Sequence, residues 1–379
     1  MIYRDFQNIK LSGLGLGCMR LPVVNGDDSV IDVETAKAMV KTAFARGINY
    51  FDTAYGYHSG NSELVVGELL KAYPRDSFYL ATKFPGYDPA NWPHVQEIFA
   101  EQKKKLQTEY FDFYLFHNVC EMNIDAYLDP KYGIYDFLME QKKNGSIRHL
   151  GFSTHGSLDV MKRFLEAYGK DMEFCQIQLN WMDWEFQNAK AKVELLNQYG
   201  IPVWVMEPLR GGKLAKLSDA DTAKLKALRP EETVPGWGFR FLQSVPGVTM
   251  VLSGMSNPEQ LEANLATYEE EKPLNAEEIA LLTGIAEDML KGGVLPCTAC
   301  RYCTTHCPQE LPIPEIIALY NEHKVTSAYG FGFIAPMALS TWDEGKKPSA
   351  CLGCRSCETV CPQQIKISEM MADFTAMLG

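Results

Sequence analysis

The chain has 379 residues, a formal net charge of −12 and 46% apolar side chains. Such a length suits one large domain plus a small one, while the negative charge excludes a nucleic-acid partner, because binding phosphates needs a basic face, and disfavours an anionic membrane surface. No apolar run approaches the roughly 18 residues of a membrane span, and eleven cysteines in a chain that opens without a basic and apolar leader point to a reducing cytoplasm.

A short hairpin is expected over Ile2–Lys10. Beyond it, short apolar runs alternate with helix-period stretches. Predicted strands are Leu14–Cys18, Asn49–Asp52, Phe78–Thr82, Asp112–Phe116, Ile147–Phe152, Phe174–Gln178, Val203–Met206 and Val248–Leu252. Helices are predicted at Val33–Arg46, Ser62–Ala72, His94–Gln107, Gly133–Asn144, Ser157–Tyr168, Glu185–Tyr199, Pro235–Gln243 and Pro258–Tyr268. Eight strands each followed by a helix, over about 260 residues, fit an α/β fold of the (β/α)8 TIM-barrel type. A doubly wound open sheet is the competing arrangement. The glycines of Gly13-Leu-Gly-Leu-Gly17 lack the spacing of a dinucleotide fingerprint and are assigned to the first barrel strand. A further amphipathic helix, Asn275–Lys291, leads to Gly292-Gly293, which places the boundary between a barrel domain, 1–291, and a small α-helical domain, 292–379. Within the latter, Ile313–His323 reads as helix and Ala328–Ala335 is rich in glycine and aromatics.

The small domain carries one cysteine pattern twice: C-T-A-C-R-Y-C-T-T-H-C-P at Cys297–Pro308 and C-L-G-C-R-S-C-E-T-V-C-P at Cys351–Pro362. Each is the C-x2-C-x2-C-x3-C-P run that holds [4Fe–4S] clusters in ferredoxin-like domains, where the fourth cysteine serves the other cluster. The expected ligand sets are therefore Cys297, Cys300, Cys303 and Cys361 for one cluster, and Cys351, Cys354, Cys357 and Cys307 for the second. A structural zinc site would use paired C-x2-C knuckles and leave the third cysteine and the Cys-Pro unexplained. Disulfides would need an oxidising compartment. Cys18, Cys120 and Cys175 have no ligand spacing and are assigned to core or pocket.

In barrel enzymes the chemistry sits at the C-terminal ends of strands. Asp52 ends the second predicted strand, with Tyr57 five residues on; Lys83 ends the third and His117 the fourth. Singly, each has an ordinary structural role, as a cap, a surface ring, a snorkelling amine or a satisfied imidazole. Together they suit hydride transfer to a carbonyl, whose oxygen must be protonated as it becomes an alkoxide. A tyrosine can supply that proton, a neighbouring ammonium would draw its pKa down from about 10, and Asp52 would keep Lys83 charged. His117 would orient the carbonyl and donate to the oxyanion.

With these residues in place the chain resembles an aldo-keto reductase, of the bacterial branch that carries a C-terminal ferredoxin-like domain. The likeness rests on F-D-T-A-Y-G-Y, A-T-K and L-F-H around the four residues, and on G-F-S-T-H at Gly151–His155, Q-I-Q-L-N at Gln176–Asn180, M-E-P-L-R-G-G at Met206–Gly212 and S-G-M-S-N-P-E-Q-L-E-A-N at Ser253–Asn264. It implies Asp52, Tyr57, Lys83 and His117 as the catalytic tetrad. By the same likeness Ser153 and Gln176 would hold the nicotinamide carboxamide, and Met206 would lie where many relatives stack an aromatic ring on the nicotinamide. The loops around Leu209, Gly211 and Gly254–Asn264 would hold pyrophosphate and adenosine. Gly254 and Gln260 stand where many relatives place a lysine and an arginine against the 2′-phosphate of NADPH, and no basic residue occurs between Arg240 and Lys272. NADH therefore fits at least as well as NADPH, unless Arg20 or Arg210 supplies the charge.

Hydride carries two electrons and clusters pass them singly, so a flavin is a further candidate cofactor, although no flavin motif is present. Three readings follow: an NAD(P)H-dependent carbonyl reductase with auxiliary clusters, a flavin- or ferredoxin-linked oxidoreductase whose clusters feed the barrel, or a non-catalytic electron carrier or regulatory module on a barrel that has lost turnover, against which the intact tetrad argues. Expected partners are a small carbonyl or alcohol substrate and a redox partner protein. Trp92, Tyr127, Tyr132, Trp181 and Trp184 are candidate pocket walls.

Overall fold

The computed structural model describes residues 1–291, 294–295, 297, 303–327, 332–361 and 365–379. Cys300 and the glycine pair at the expected boundary lie outside the described residues. The chain divides into two compact units, Met1–Leu282 and Thr283–Gly379.

In the first unit a hairpin, β1 (Tyr3–Phe6) and β2 (Ile9–Ser12), precedes eight strands. These are β3 (Leu14–Gly17), β4 (Tyr50–Asp52), β5 (Tyr79–Phe84), β6 (Phe111–Val119), β7 (Ile147–Thr154), β8 (Cys175–Gln178), β9 (Val203–Met206) and β10 (Val248–Ser253). All eight pair in parallel, and β10 pairs with β3 to close the barrel. The runs that form them are nearly continuous in apolar residues, as strands covered on both faces must be. Tyr50, Phe113, Phe174, Trp204 and Met250 fill the interior at the end where the strands begin, each such side chain contributing about 1.5–3 kcal/mol by burial. The hairpin closes that end: Phe6 packs 5.6 Å from Phe113 and 5.1 Å from Trp204, centre to centre. A Cβ on Gly15 would stand 2.7 Å from Leu252 and 3.3 Å from Tyr50, so this glycine run is selected by barrel packing. The opposite end is left to polar side chains.

The helices of this unit are α1 (Val33–Ala45), α2 (Ser62–Leu70), α3 (Val95–Lys105), α4 (Ile124–Leu128), α5 (Ile134–Lys143), α6 (Leu158–Tyr168), α7 (Asp183–Phe186), α8 (Ala189–Gln198), α9 (Asp219–Leu228), α10 (Val234–Gln243) and α11 (Pro258–Thr267), with α12 (Ala276–Lys291) crossing into the second unit. Three points differ from the sequence expectation. The short α4 lies where no helix is expected. The single helix expected over Glu185–Tyr199 is split, because Asn188 adopts a left-handed φ of 54° between α7 and α8. Helix α9 shows little periodicity because only Leu225 of it is buried; its start is fixed instead by Ser218, whose side chain accepts from the Asp221 N–H.

The second unit contains α13 (Ile313–Ser327), α14 (Ile334–Leu339) and α15 (Ile367–Leu378). Ile316, Ile317, Tyr320, Met370, Met371 and Phe374 form its core, into which Cys303 and Cys357 are packed. Among the described residues no helix is long and apolar enough to cross a membrane.

Candidate active site and cysteine loops

The barrel's polar end gathers its residues from successive strands. Asp52 is the last residue of β4, pairing in register with Ala81 of β5, and Lys83 lies two residues further along β5. Lys83 has no exposed surface and Asp52 retains only 3%. The Lys83 ammonium donates to Asp52 Oδ1 at 2.6 Å, to the Thr53 carbonyl at 2.8 Å and to Tyr57 Oη at 3.5 Å. Burial works against that ammonium, yet Asp52 and Tyr57 outweigh it and hold its pKa above the ordinary lysine value. A buried amine kept charged by a buried carboxylate needs hydrogen bonds to offset desolvation, and the Thr53 carbonyl supplies one.

Tyr57 differs from the sequence expectation in one respect. Burial pushes its phenol above the ordinary value of 10, and the Lys83 ammonium draws it only part of the way back. The phenol is thus protonated at neutral pH, as an acid must be. His117, near the end of β6, lies edge-on to the Tyr57 ring at 6.0 Å. Its imidazole is held neutral, well below the ordinary range, by burial, by Lys83 and by His155. Nδ1 of His117 is buried with no acceptor or donor among the described residues.

The supporting shell was not legible in the sequence. Glu63 of α2 is fully buried and accepts from Thr82 Oγ1 at 2.7 Å and from Gln102 Nε2 at 2.9 Å. Gln102 also donates to the Lys83 carbonyl at 2.9 Å and accepts from the Tyr114 hydroxyl at 2.6 Å. In the sequence Gln102 looks like any solvated residue on the polar face of α3. After Tyr57 the chain takes left-handed turns at His58 and Ser59, with φ of 52° and 56°. His58 Nε2 accepts from the Leu21 N–H at 3.1 Å, which pins that turn. Tyr87 is a second phenol at the site: its ring is edge-on to His117 at 5.2 Å, and a Cβ on Gly56 would meet its hydroxyl at 2.4 Å. Its place in the loop four residues beyond Lys83 is the signal that could have found it.

Cys18 is buried near the Asp52–Lys83 pair, and Cys120 and Cys175 are buried too. Of the aromatic candidates, Tyr127 and Trp181 are core; Tyr127 donates to the His117 carbonyl at 2.8 Å. Trp92 and Tyr132 pack edge to face at 5.4 Å.

Ser153 of β7 and Gln176 of β8 are register partners. Ser153 Oγ accepts from the Asn118 N–H at 2.8 Å, and Gln176 Nε2 lies 3.7 Å from Met206 Sδ. Gln176 Oε1 is buried without a donor among the described residues, which fits a carboxamide N–H2 group. Leu209 opens the turn that contains Gly211, at a φ of 68°. Asn264 Nδ2 donates to Ser253 Oγ at 3.1 Å, and Gln260 Oε1 accepts from the Ser256 N–H at 2.8 Å. A Cβ on Gly254 would stand 3.1–3.2 Å from the Arg20 stem, so the missing side chain makes room for that arginine. Arg210 is 2% exposed; its Nε donates to both Asp183 oxygens at 3.1 Å, its guanidinium lies 5.5 Å from the centre of the Phe186 ring, and Nη1 and Nη2 have no acceptor among the described residues.

In the second unit Cys307, Cys351, Cys354 and Cys357 line one cavity with Leu311, Ile313 and Met371. Left-handed backbone at Gly353 and Arg355 winds the second cysteine loop. The Leu311 N–H points to Cys307 Sγ at 3.4 Å and the Gly353 N–H to Cys351 Sγ at 3.5 Å. Burial, then Cys307, Glu358 and Cys351, push the Cys357 thiol up to about 12; a bound cation reverses such a penalty by favouring the thiolate. A set of four thiols lining one cavity has the soft-donor chemistry that an iron–sulfur cluster requires. Cys297, Cys303 and Cys361 pack on the core of the same unit, and Cys300 lies outside the described residues.

Comparison with known proteins places this geometry. The model of the aldo/keto reductase family matches residues 13–287, and that of a 4Fe-4S dicluster domain matches residues 296–365. The chain belongs to the aldo/keto reductase family and is an oxidoreductase with a C-terminal 4Fe-4S domain. It is 29% identical over 218 residues to "Probable aldo-keto reductase 1" of Glycine max, covering 54% of this chain and 58% of that protein. It is 26% identical over 309 residues to "NADH-specific methylglyoxal reductase" of Escherichia coli, covering 68% and 90%. A solved aldo-keto reductase from Bacillus halodurans, in its holo form, superposes with a TM-score of 0.62 at 25% identity over 75% of this chain and 96% of that one.

Proposed function

We propose that the barrel transfers hydride between NAD(P)H and a small carbonyl or alcohol, and that the C-terminal unit holds two [4Fe–4S] clusters as auxiliary or electron-transfer centres. The observation that carries the first half is the triple contact of the buried Lys83 ammonium with Asp52, Thr53 and Tyr57. When bound, the nicotinamide supplies or accepts the hydride. The protein's own residues do the rest. Tyr57 holds the proton at Oη and passes it to the carbonyl oxygen; Lys83 stabilises the phenolate left behind, and Asp52 fixes Lys83. His117, neutral, directs a ring N–H to the same oxygen. Ser153 and Gln176 orient the carboxamide beside Met206, and Leu209, Gly211, Gly254, Gln260 and Asn264 hold the remainder of the dinucleotide. On this reading NADH binds at least as tightly as NADPH, and the E. coli relative is by its name NADH-specific.

For the second half, Cys351, Cys354, Cys357 and Cys307 ligate one cluster, and Cys297, Cys300, Cys303 and Cys361 the other, with the functional division at 291/292. A flavin- or ferredoxin-linked route is the second reading, favoured by the four sulfurs gathered around one cavity, a device for single electrons. The two separate in one experiment. Anaerobically prepared holoprotein is given NADH and a panel of small aldehydes and ketones. One alcohol formed per NADH consumed, with no flavin extracted, supports hydride transfer. Turnover that requires reduced ferredoxin, or stoichiometric flavin in the extract, overturns it.

A further inference from the structure

Lys83 is held at both its backbone and its ammonium by polar groups that never reach the reacting atoms. Strands β4 and β5 pair as far as Ala81, whose carbonyl accepts from the Thr53 N–H at 3.0 Å. Carbonyls on alternate residues of a strand face the same neighbour, so the Lys83 carbonyl, two residues on, is turned to the same edge. There β4 has already ended at Asp52 and the chain has left for the Tyr57 turn. Gln102 Nε2, from α3, donates to the Lys83 carbonyl at 2.9 Å in place of a strand, and also reaches Glu63 Oε1 at 2.9 Å. Ser62, the residue before Glu63, serves the other end of Lys83. Its hydroxyl donates to the Cys18 carbonyl at 2.9 Å and accepts from Thr53 Oγ1 at 2.8 Å, and the Thr53 carbonyl is an acceptor of the Lys83 ammonium. Ser62, Glu63 and Gln102 have no exposed surface. Helix α3 touches the Tyr57 side as well: Tyr55 donates to Glu101 at 3.0 Å, and the Lys105 ammonium lies 4.2 Å from the Tyr55 ring centre and 3.8 Å from Glu63 Oε2. A buried carboxylate costs more than an apolar side chain packed in its place, and the hydrogen bonds of this one go to Thr82 and Gln102, the two groups that flank the Lys83 backbone.

We propose that Ser62, Glu63 and Gln102 are positioning residues: together they set the place of Lys83 against Tyr57, and with it the support the ammonium gives the phenolate as the proton leaves. This inference rests on the reading of Tyr57 as the acid. The three residues act through Lys83, Ser62 by way of the Thr53 carbonyl and the other two by way of the Lys83 carbonyl. The groups that bear on Tyr57 are Lys83 from β5, Asp52 from β4, Cys18 from the turn after β3, His117 from β6 and Tyr87 from the loop after β5. Of these Lys83 is the one that draws the phenol down. An ammonium displaced from Tyr57 therefore leaves a weaker acid, slower to give up its proton and ionised only at higher pH.

The test is a double-mutant cycle on anaerobic holoprotein, with NADH and the aldehyde or ketone that wild type turns over fastest. Gln102→Met keeps the length of the side chain and removes its donor. Its kcat should fall about 10 to 100-fold, the scale of a misplacement of about 1 Å, with the Kd for NADH unchanged. The alkaline decline in its rate should move to higher pH. Placed on Tyr57→Phe, the same change should cost no more than about twofold further, because the donor it serves is gone. Ser62→Ala, a smaller change, should lower kcat in the same direction, be equally silent on Tyr57→Phe, and decide the matter if Gln102→Met does not fold. Equal losses in the two backgrounds, or undiminished kcat with an unmoved alkaline decline, overturn the inference and leave Tyr57 standing as the acid. Near-normal turnover by Tyr57→Phe alone overturns the acid reading itself.

Discussion

Replacing Tyr57 by Phe removes the proposed proton donor and leaves its surroundings in place. In wild type the Tyr57 hydroxyl is the weakest of the three Lys83 contacts, at 3.5 Å against 2.6 Å to Asp52 and 2.8 Å to Thr53. Its loss leaves the ammonium with both strong acceptors, and the ring still lies 5.0 Å from Nζ. The stability cost should be at most about 0.5–1 kcal/mol, the lower part of the range for a single hydrogen bond, or a few degrees in Tm. NADH affinity should not change, since Ser153, Gln176 and the β9 loop are untouched. Carbonyl reduction should fall by about 10² to 10⁴-fold, equal to about 2.7–5.4 kcal/mol of barrel-borne transition-state stabilisation. Because burial raises the phenol above its ordinary value, wild-type reduction should run level through neutral pH and decline only in the alkaline range, as the acid is lost. The residual rate of the variant should show no such decline. The assay is initial-rate NADH oxidation against pH under anaerobic conditions, with NADH affinity measured separately. Turnover within a few-fold of wild type would refute Tyr57 as the acid; a parallel loss of NADH binding would refute the division of roles.

Three further outcomes can be checked independently. Anaerobic protein should contain about eight iron and eight acid-labile sulfide per chain, and Cys354→Ala, which removes an exposed sulfur, should lower both to about four; stoichiometric zinc without labile sulfide would refute the assignment. Gln260→Arg gives up one bond to the Ser256 N–H but offers a cation to a 2′-phosphate, and should improve the NADPH-to-NADH affinity ratio by about 10 to 150-fold, the equivalent of a charge-assisted contact of about 1.5–3 kcal/mol. Position 254 is the poorer choice, because a side chain there meets the Arg20 stem. Burial and Lys192 lower His155 to about 4, and His117 is likewise depressed. At these two sites the unfolded chain therefore binds more protons below pH 6.5, so their contribution to stability should fall as pH drops from about 6.5 towards 4; a His155→Gln variant whose thermal midpoint falls as much as that of wild type over this window would refute this.

The sequence by itself determined the alternation of strands and helices, because strands buried on both faces must be apolar throughout and short. It also carried the eight cysteines, because a cube of iron bound by one tight loop demands fixed spacing. Asp52, Lys83 and His117 were legible for a similar reason: a polar residue closing an apolar run is conspicuous, and strand ends in a parallel barrel converge. What only the tertiary structure decided lies between elements. The Glu63–Thr82–Gln102–Tyr114 network that holds the Lys83 carbonyl joins four distant segments, and each of its residues alone could belong to a solvated face. The net rise in the Tyr57 pKa comes from burial outweighing a neighbouring ammonium, a balance of desolvation against Coulomb attraction that depends on packing density. Tyr87 enters the site because Gly56, on another loop, leaves room for its hydroxyl. The burial of Arg210 against Asp183 and the Phe186 ring is likewise invisible in M-E-P-L-R-G-G, since both partners come from α7. Local periodicity and ligand spacing are properties of neighbours in sequence; burial, charge balance and polar satisfaction are properties of neighbours in space.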